Sequence, residues 1–129
     1  VSISSPEPRK ITEHFLYEDI KCPCCDRLKI IPRMYKHMEL LEELREALGF
    51  PIIINSGYRC PRHNEEVNGT KNSQHMTFAT DVRPKWGKGF KAKLIAMEKI
   101  AKNLGFRGIG TYSYFIHLDL REEKAFWVG

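Results

Sequence analysis

No stretch of about 18 consecutive apolar residues occurs in the chain, so no segment can cross a bilayer as a helix. The N-terminal VSISSPEPRK has no apolar core of the kind a secretory signal carries. Cysteine is scarce, at four residues, and its placement argues against a disulfide framework. Three of the four crowd into Cys22-Pro23-Cys24-Cys25, and Cys60 stands alone downstream. That crowding suits a metal clip or a set of reduced thiols. Internal repeats and low-complexity segments are also missing.

What remains is an ordinary globular composition. The 129 residues fit one domain with a modest core, expected over 11–129 behind a loose arm at 1–10 rich in Ser, Pro and charge. Hydrophobic residues make up 42% and charged residues 29%, which excludes a disordered chain. The net charge of +5 favours anionic partners or simply aids solubility. Lys85, Lys88, Lys91, Lys93, Lys99 and Lys102 gather around one segment, with Trp86 and Phe90 among them. The pattern reads as a solvated helix face. Neither a groove-reading element nor a stacking platform is evident, so nucleic acid is not an expected partner.

Periodicity places the elements. A short helical turn and a cysteine-bearing loop are expected in ITEHFLYEDIKCPCCD. From Pro32 to Gly49, Met34, Met38, Leu41, Leu44 and Leu48 recur at helical steps, with proline at the start and glycine past the end. PIIIN at 51–55 reads as a buried strand, PRHNEEVNG as a short helix or turn, and ATDVR as a strand. Leu94, Met97, Ile100, Ala101 and Leu104 mark a second amphipathic helix from about Phe90, ended by Gly105. FRGIGTY and YFIHLDLR form an expected hairpin. The order predicts an α+β fold, a small antiparallel sheet with helices packed against it.

The chemistry concentrates near the last strand. Alternation in YFIHLDL sets Tyr114, Ile116, Leu118 and Leu120 on one face and Phe115, His117 and Asp119 on the other. The aliphatic face is the expected core, so His117 and Asp119 project into a groove. Zinc takes nitrogen and oxygen donors at about 2.0–2.2 Å. His75, Asp81 and His117 would offer two imidazoles and a carboxylate, leaving a fourth position open for water.

Three blocks, SGYRCPRHN at 56–64, SQHMTFATD at 73–81 and GIGTYSYFIHLD at 108–119, occur in that order. Together they resemble the zinc D-alanyl-D-alanine carboxypeptidase family, whose fold is shared with the hedgehog signalling domain. The likeness is greatest to the small branch found in phages and prophages, and it covers about residues 13–127. The resemblance implies a catalytic zinc on His75, Asp81 and His117. It implies that Arg59 holds a substrate carboxylate or polarises the scissile carbonyl, a role suited to a planar guanidinium fork. Ser73, and Tyr112 in the third block, are implied to bind substrate.

Two departures from the family pattern stand out. The family reads S-x-H-x-x-G-x-A-x-D, and here one residue and the glycine are missing between His75 and Asp81. Shortening inside the strand would flip its faces, whereas shortening in the preceding turn would not. The retained Ala79-x-Asp81 step favours the turn. The family also places an acidic base three residues before the last histidine, where this chain has Tyr114. Asp119 then stands as general base or as a residue orienting a ligand.

The cysteines offer a second metal site. Cys22 and Cys25 make a C-x-x-C pair, and Cys60 and His63 a C-x-x-H pair. Together they would form a structural Cys₃His zinc site. A disulfide from Cys60 and free thiols are the competing readings.

The expected function is a zinc metallopeptidase cleaving peptidoglycan stem peptides, at D-Ala-D-Ala or L-Ala-D-Glu, in the manner of a phage cell-wall hydrolase. It would be a monomer, made in a bacterial cytoplasm without a visible signal peptide and acting at the cell wall or periplasm. The alternative is a module of the same fold that holds zinc and binds wall peptide or a protein partner without cutting.

Overall fold

The computed structural model describes residues 9–129. Residues 1–8 of the expected arm lie outside the described residues. Arg9 and Lys10 are tied down: the Tyr17 amide donates to the Arg9 carbonyl at 2.8 Å, and Lys10 pairs with Leu16 in an isolated bridge.

The described elements run α1 (Tyr17–Ile20), α2 (Pro32–Leu48), β1 (Ile52–Ser56), α3 (Pro61–Glu66), a 3-10 turn (Gln74–Met76), β2 (Ala79–Pro84), α4 (Phe90–Leu104), β3 (Gly108–Thr111), β4 (Ile116–Asp119) and β5 (Ala125–Val128). Helix α2 begins at a proline, whose missing amide is no loss at a first turn. It ends at Gly49, whose φ of 72° only glycine adopts without strain. Met34, Met38, Leu41 and Leu44 are fully buried, as their spacing predicts, and each such side chain contributes about 1.5–3 kcal/mol of apolar burial. Helix α4 buries Leu94, Met97 and Ala101 and packs against α2 and on β2, β3 and β4. No helix among the described residues is long and apolar enough to cross a membrane.

The fold is α+β, with one five-stranded sheet in the order β1-β2-β4-β3-β5. Strands β1, β2, β4 and β3 pair antiparallel in turn, and β5 joins β3 in parallel. Several features differ from the sequence expectation. Strand β1 is an edge strand rather than a buried one, and of its residues only Ile52 is buried. The parallel strand β5 was not anticipated. Alternation holds on β4: Ile116 and Leu118 enter the core, and His117 and Asp119 occupy the opposite face. Tyr114 belongs to the turn before β4 and is 61% exposed, so it does not share the core face expected for it. Trp86 stacks on Phe90 at 4.8 Å and receives the Arg83 guanidinium at 4.3 Å. The basic segment therefore does carry an exposed aromatic stack, which residue spacing alone did not reveal.

A histidine is buried among the apolar side chains of the core. His37 of α2 packs edge-on against Phe78 and Phe106, and its Nε2 meets the Thr80 hydroxyl of β2 at 2.9 Å. Burial pushes its pKa down to about 3, so the imidazole is neutral at ordinary pH. The unfolded chain takes up a proton near pH 6.5 that the folded chain refuses, so His37 withdraws stability as pH falls through that window. In urea unfolding, the stability of wild type relative to His37→Met should therefore fall by about 1.4 kcal/mol per pH unit from pH 6 to 4. A pH-independent difference would show that the ring is protonated inside the fold.

Candidate metal centre

The centre is built on the pairing of β2 with β4, in which Asp81 lies directly opposite His117. On the other side of β4, Gly110 faces His117 and Gly108 faces Asp119. Both glycines are there for space. A Cβ on Gly110 would come within 2.5 Å of the Trp127 ring, and one on Gly108 would strike the Asp119 carboxylate. The GIG step thus clears room for a tryptophan and a buried carboxylate on the groove side of the sheet.

His75 arrives from outside the sheet. Ser73 opens the 3-10 turn, its hydroxyl accepting from the His75 amide at 3.2 Å. The His75 carbonyl accepts from the Arg59 amide at 2.8 Å, and its Nδ1–H donates to the Gly57 carbonyl at 2.7 Å. Gly57 itself presses against α1: a Cβ there would lie 2.6 Å from the Ile20 backbone, and the Tyr58 amide donates to Ile20 at 2.9 Å. The 3-10 turn ends at Met76, three residues before β2 begins at Ala79. Phe78 is fully buried just beyond it, and Ala79 and Asp81 of β2 pair with Asp119 and His117 of β4.

Asp81 stands between the two imidazoles. Its Oδ2 is 3.1 Å from His75 Nε2 and its Oδ1 is 3.0 Å from His117 Nδ1. Burial pushes the Asp81 carboxyl up, but the hydrogen bonds from His117 and His75 outweigh it and hold the pKa at about 2. Burial likewise lowers the His117 pKa, and Asp119 and Asp81 more than reverse that, leaving it raised. One donor atom from each of His75, Asp81 and His117 lies within 4.8 Å of the others. The Gly57 carbonyl accepts from His75 Nδ1–H, so that Nε2 would present a lone pair to a metal once its own proton leaves. Asp119 engages His117 Nε2 at 2.7 Å, which leaves Nδ1 to face Asp81. Two imidazoles, each held through its other ring nitrogen, and a carboxylate suit a divalent cation such as zinc.

Above these donors lies a groove of about 550 Å³. Arg59, Ser73 and Tyr112 all line it, as do Trp127 and Arg121. The Arg59 Nε is buried without a hydrogen-bond partner among the described residues. Trp127 donates to the Tyr112 hydroxyl at 2.9 Å, tilts against His117 at 5.4 Å and receives Arg121 at 4.8 Å. Asp119 sits behind His117 rather than in the groove. It is fully buried, and Arg121 grips it through Nη2 at 2.6 Å and Nε at 2.9 Å. Burial raises its pKa, but His117 and Arg121 hold it well below the usual carboxylate range.

A family model described as peptidase M15 matches residues 13–119. The chain belongs to the peptidase M15 family. No curated protein matches the sequence. Family membership, together with the clustered His75, Asp81 and His117, points to a metallopeptidase acting on a peptide.

The M15 domain also collects its cysteines, in a different set from the expected one. Thiols of Cys22, Cys24, Cys25 and Cys60 lie within 4.8 Å of one another, and the His63 imidazole is not among them. The reason is helical. Cys60 is the N-cap of α3, so the His63 amide donates to its sulfur at 3.4 Å while the ring lies towards Glu66, 3.8 Å away.

Sequence reasoning missed Trp127 and Arg121. The run Ala-Phe-Trp-Val after a charged turn was the available signal for β5. Gly110→Ala should lower stability by about 1–3 kcal/mol through the clash with Trp127 and shift tryptophan emission to the red. Unchanged emission and melting would show that the ring does not pack over position 110.

Proposed function

We propose that the domain is a zinc-dependent peptidase acting on peptidoglycan stem peptides at the bacterial cell wall, of the kind phages use in lysis. The observation that carries this reading is one arrangement: three converging donors on the floor of a groove whose wall holds Arg59, with its Nε buried and without a partner among the described residues. His75, Asp81 and His117 would hold the metal. When bound, zinc supplies Lewis acidity to a water and to the scissile carbonyl. Arg59 binds and orients the peptide through its carboxylate or carbonyl. Ser73 and Tyr112 flank it, and Trp127 shields one side of the groove from water. We assign Asp119 to positioning, because both its oxygens are occupied and it holds His117 in one tautomer. A net charge of +5 favours approach of a monomer to an anionic wall.

A second reading, a module of this fold that binds wall peptide without cutting, is favoured by one observation. Asp81, itself a candidate ligand, is the one carboxylate lining the groove among the described residues, and Tyr114 does not line it.

Mass spectrometry of purified muropeptides incubated with the zinc-loaded protein separates the two. Release of D-alanine or scission after L-alanine, abolished by chelation and reduced about 10–100-fold by Arg59→Lys, is expected of the peptidase. Binding of the peptides with both bonds intact would leave only the binding module. Asp119→Asn should weaken zinc about 10–100-fold, measured by competition with a chromogenic chelator. Full zinc affinity with lost turnover would instead make Asp119 the base.

A further inference from the structure

A second cluster of metal-ligating side chains lies on the far side of the Gly57–Arg59 segment. Cys22 follows α1, Cys24 and Cys25 lie in the loop beyond it, and Cys60 caps α3. The Cys24 sulfur is 3.6 Å from that of Cys22 and 3.3 Å from that of Cys60. A tetrahedron with metal–sulfur bonds of about 2.3 Å has edges of about 3.8 Å, so the thiols stand close to the spacing such a centre needs. Backbone amides aim at the same sulfurs: Cys60 N–H reaches Cys22 Sγ at 3.4 Å, and His63 N–H reaches Cys60 Sγ at 3.4 Å. Such donors stabilise thiolates and leave sulfur lone pairs free for a cation. Cys22 is fully buried and Cys24 and Cys25 reach solvent, so the cluster has both a rigid anchor and an entry side.

We infer that Cys22, Cys24, Cys25 and Cys60 form a four-thiolate structural zinc site, separate from the His75–Asp81–His117 centre. The ion displaces thiol protons to solvent and no bond between residues is made. Four soft sulfurs at tetrahedral spacing select zinc over magnesium or calcium, and four protein ligands leave no open position for catalysis. The site joins the loop after α1 to the segment whose Gly57 carbonyl orients His75 and whose Arg59 lines the groove. It thereby holds one wall of the groove in place, much as a metal staple does in other small domains.

The test uses the full chain, purified untagged under reducing conditions. Loading wild type with cobalt(II) should give an intense thiolate-to-metal charge-transfer band and the visible bands of a tetrahedral ion. The His75–Asp81–His117 centre has no sulfur, so this signal is independent of the peptidase reading and should persist in His117→Ala. Zinc counting should show one equivalent lost in Cys24→Ser, with a lower melting temperature, and none lost in His63→Ala. Absence of the charge-transfer band in cobalt-loaded wild type would overturn the inference even if Cys24→Ser fails to fold. So would a mass two hydrogens short of the reduced chain, which marks a disulfide. Loss of the metal in His63→Ala but not in Cys24→Ser would replace the four-thiolate set by the Cys₃His one.

Discussion

The carboxylate of Asp81 holds the groove together. It reaches one imidazole carried by the sheet and one carried by a loop, and so bridges the two. Everything near it can be understood as a means of keeping those three side chains at bonding distance. The β2–β4 register sets Asp81 opposite His117, and Gly57 and Ser73 bring His75 in from outside. Two imidazoles facing a half-buried carboxylate accept either a proton or a metal, and the two compete for the same lone pairs. The raised pKa of His117 is the sign of that competition, because a site that attracts a cation attracts hydrogen ions as well.

Much of this was legible in the sequence because it rests on periodicity. Alternation on β4 separates Ile116 and Leu118 from His117 and Asp119, and helical spacing gives the buried stripe of α2. Helix ends were readable from Pro32, Gly49 and Gly105, residues whose backbone preferences are local. What could not be read depends on three-dimensional neighbours. That Gly108 and Gly110 are glycines for the sake of Asp119 and Trp127 follows from β3 lying beside β4 and β5, which no local pattern encodes. The edge position of β1 was hidden for the same reason, since an apolar run looks alike in the middle of a sheet and at its border. The last member of the cysteine cluster, Cys24 in place of His63, could not be read from spacing. A C-x-x-H spacing suggests a shared ligand pair, yet once Cys60 caps a helix the third residue offers its amide instead.

Asp119 shows how a residue can be correctly placed on a face and still stand in a different layer. Alternation puts it beside His117, which invited a role in proton transfer. Its full burial and the grip of Arg121 turn it towards the interior of the site. A carboxylate so well satisfied is a poor proton acceptor and a good anchor for an imidazole.

The crossover in the sheet has a wider consequence. Asp81 and His117 are thirty-six positions apart in sequence, and α4 and β3 fill the interval, yet the two residues are strand neighbours. The connecting chain leaves the sheet beside the pair and returns beside it, so its length is decoupled from the separation of the donors. Insertions or deletions in the Lys85–Gly89 turn or at the end of α4 would alter the outer surface while leaving the donors where they are. Lineages could therefore diversify the outer surface without rebuilding the chemistry beneath it.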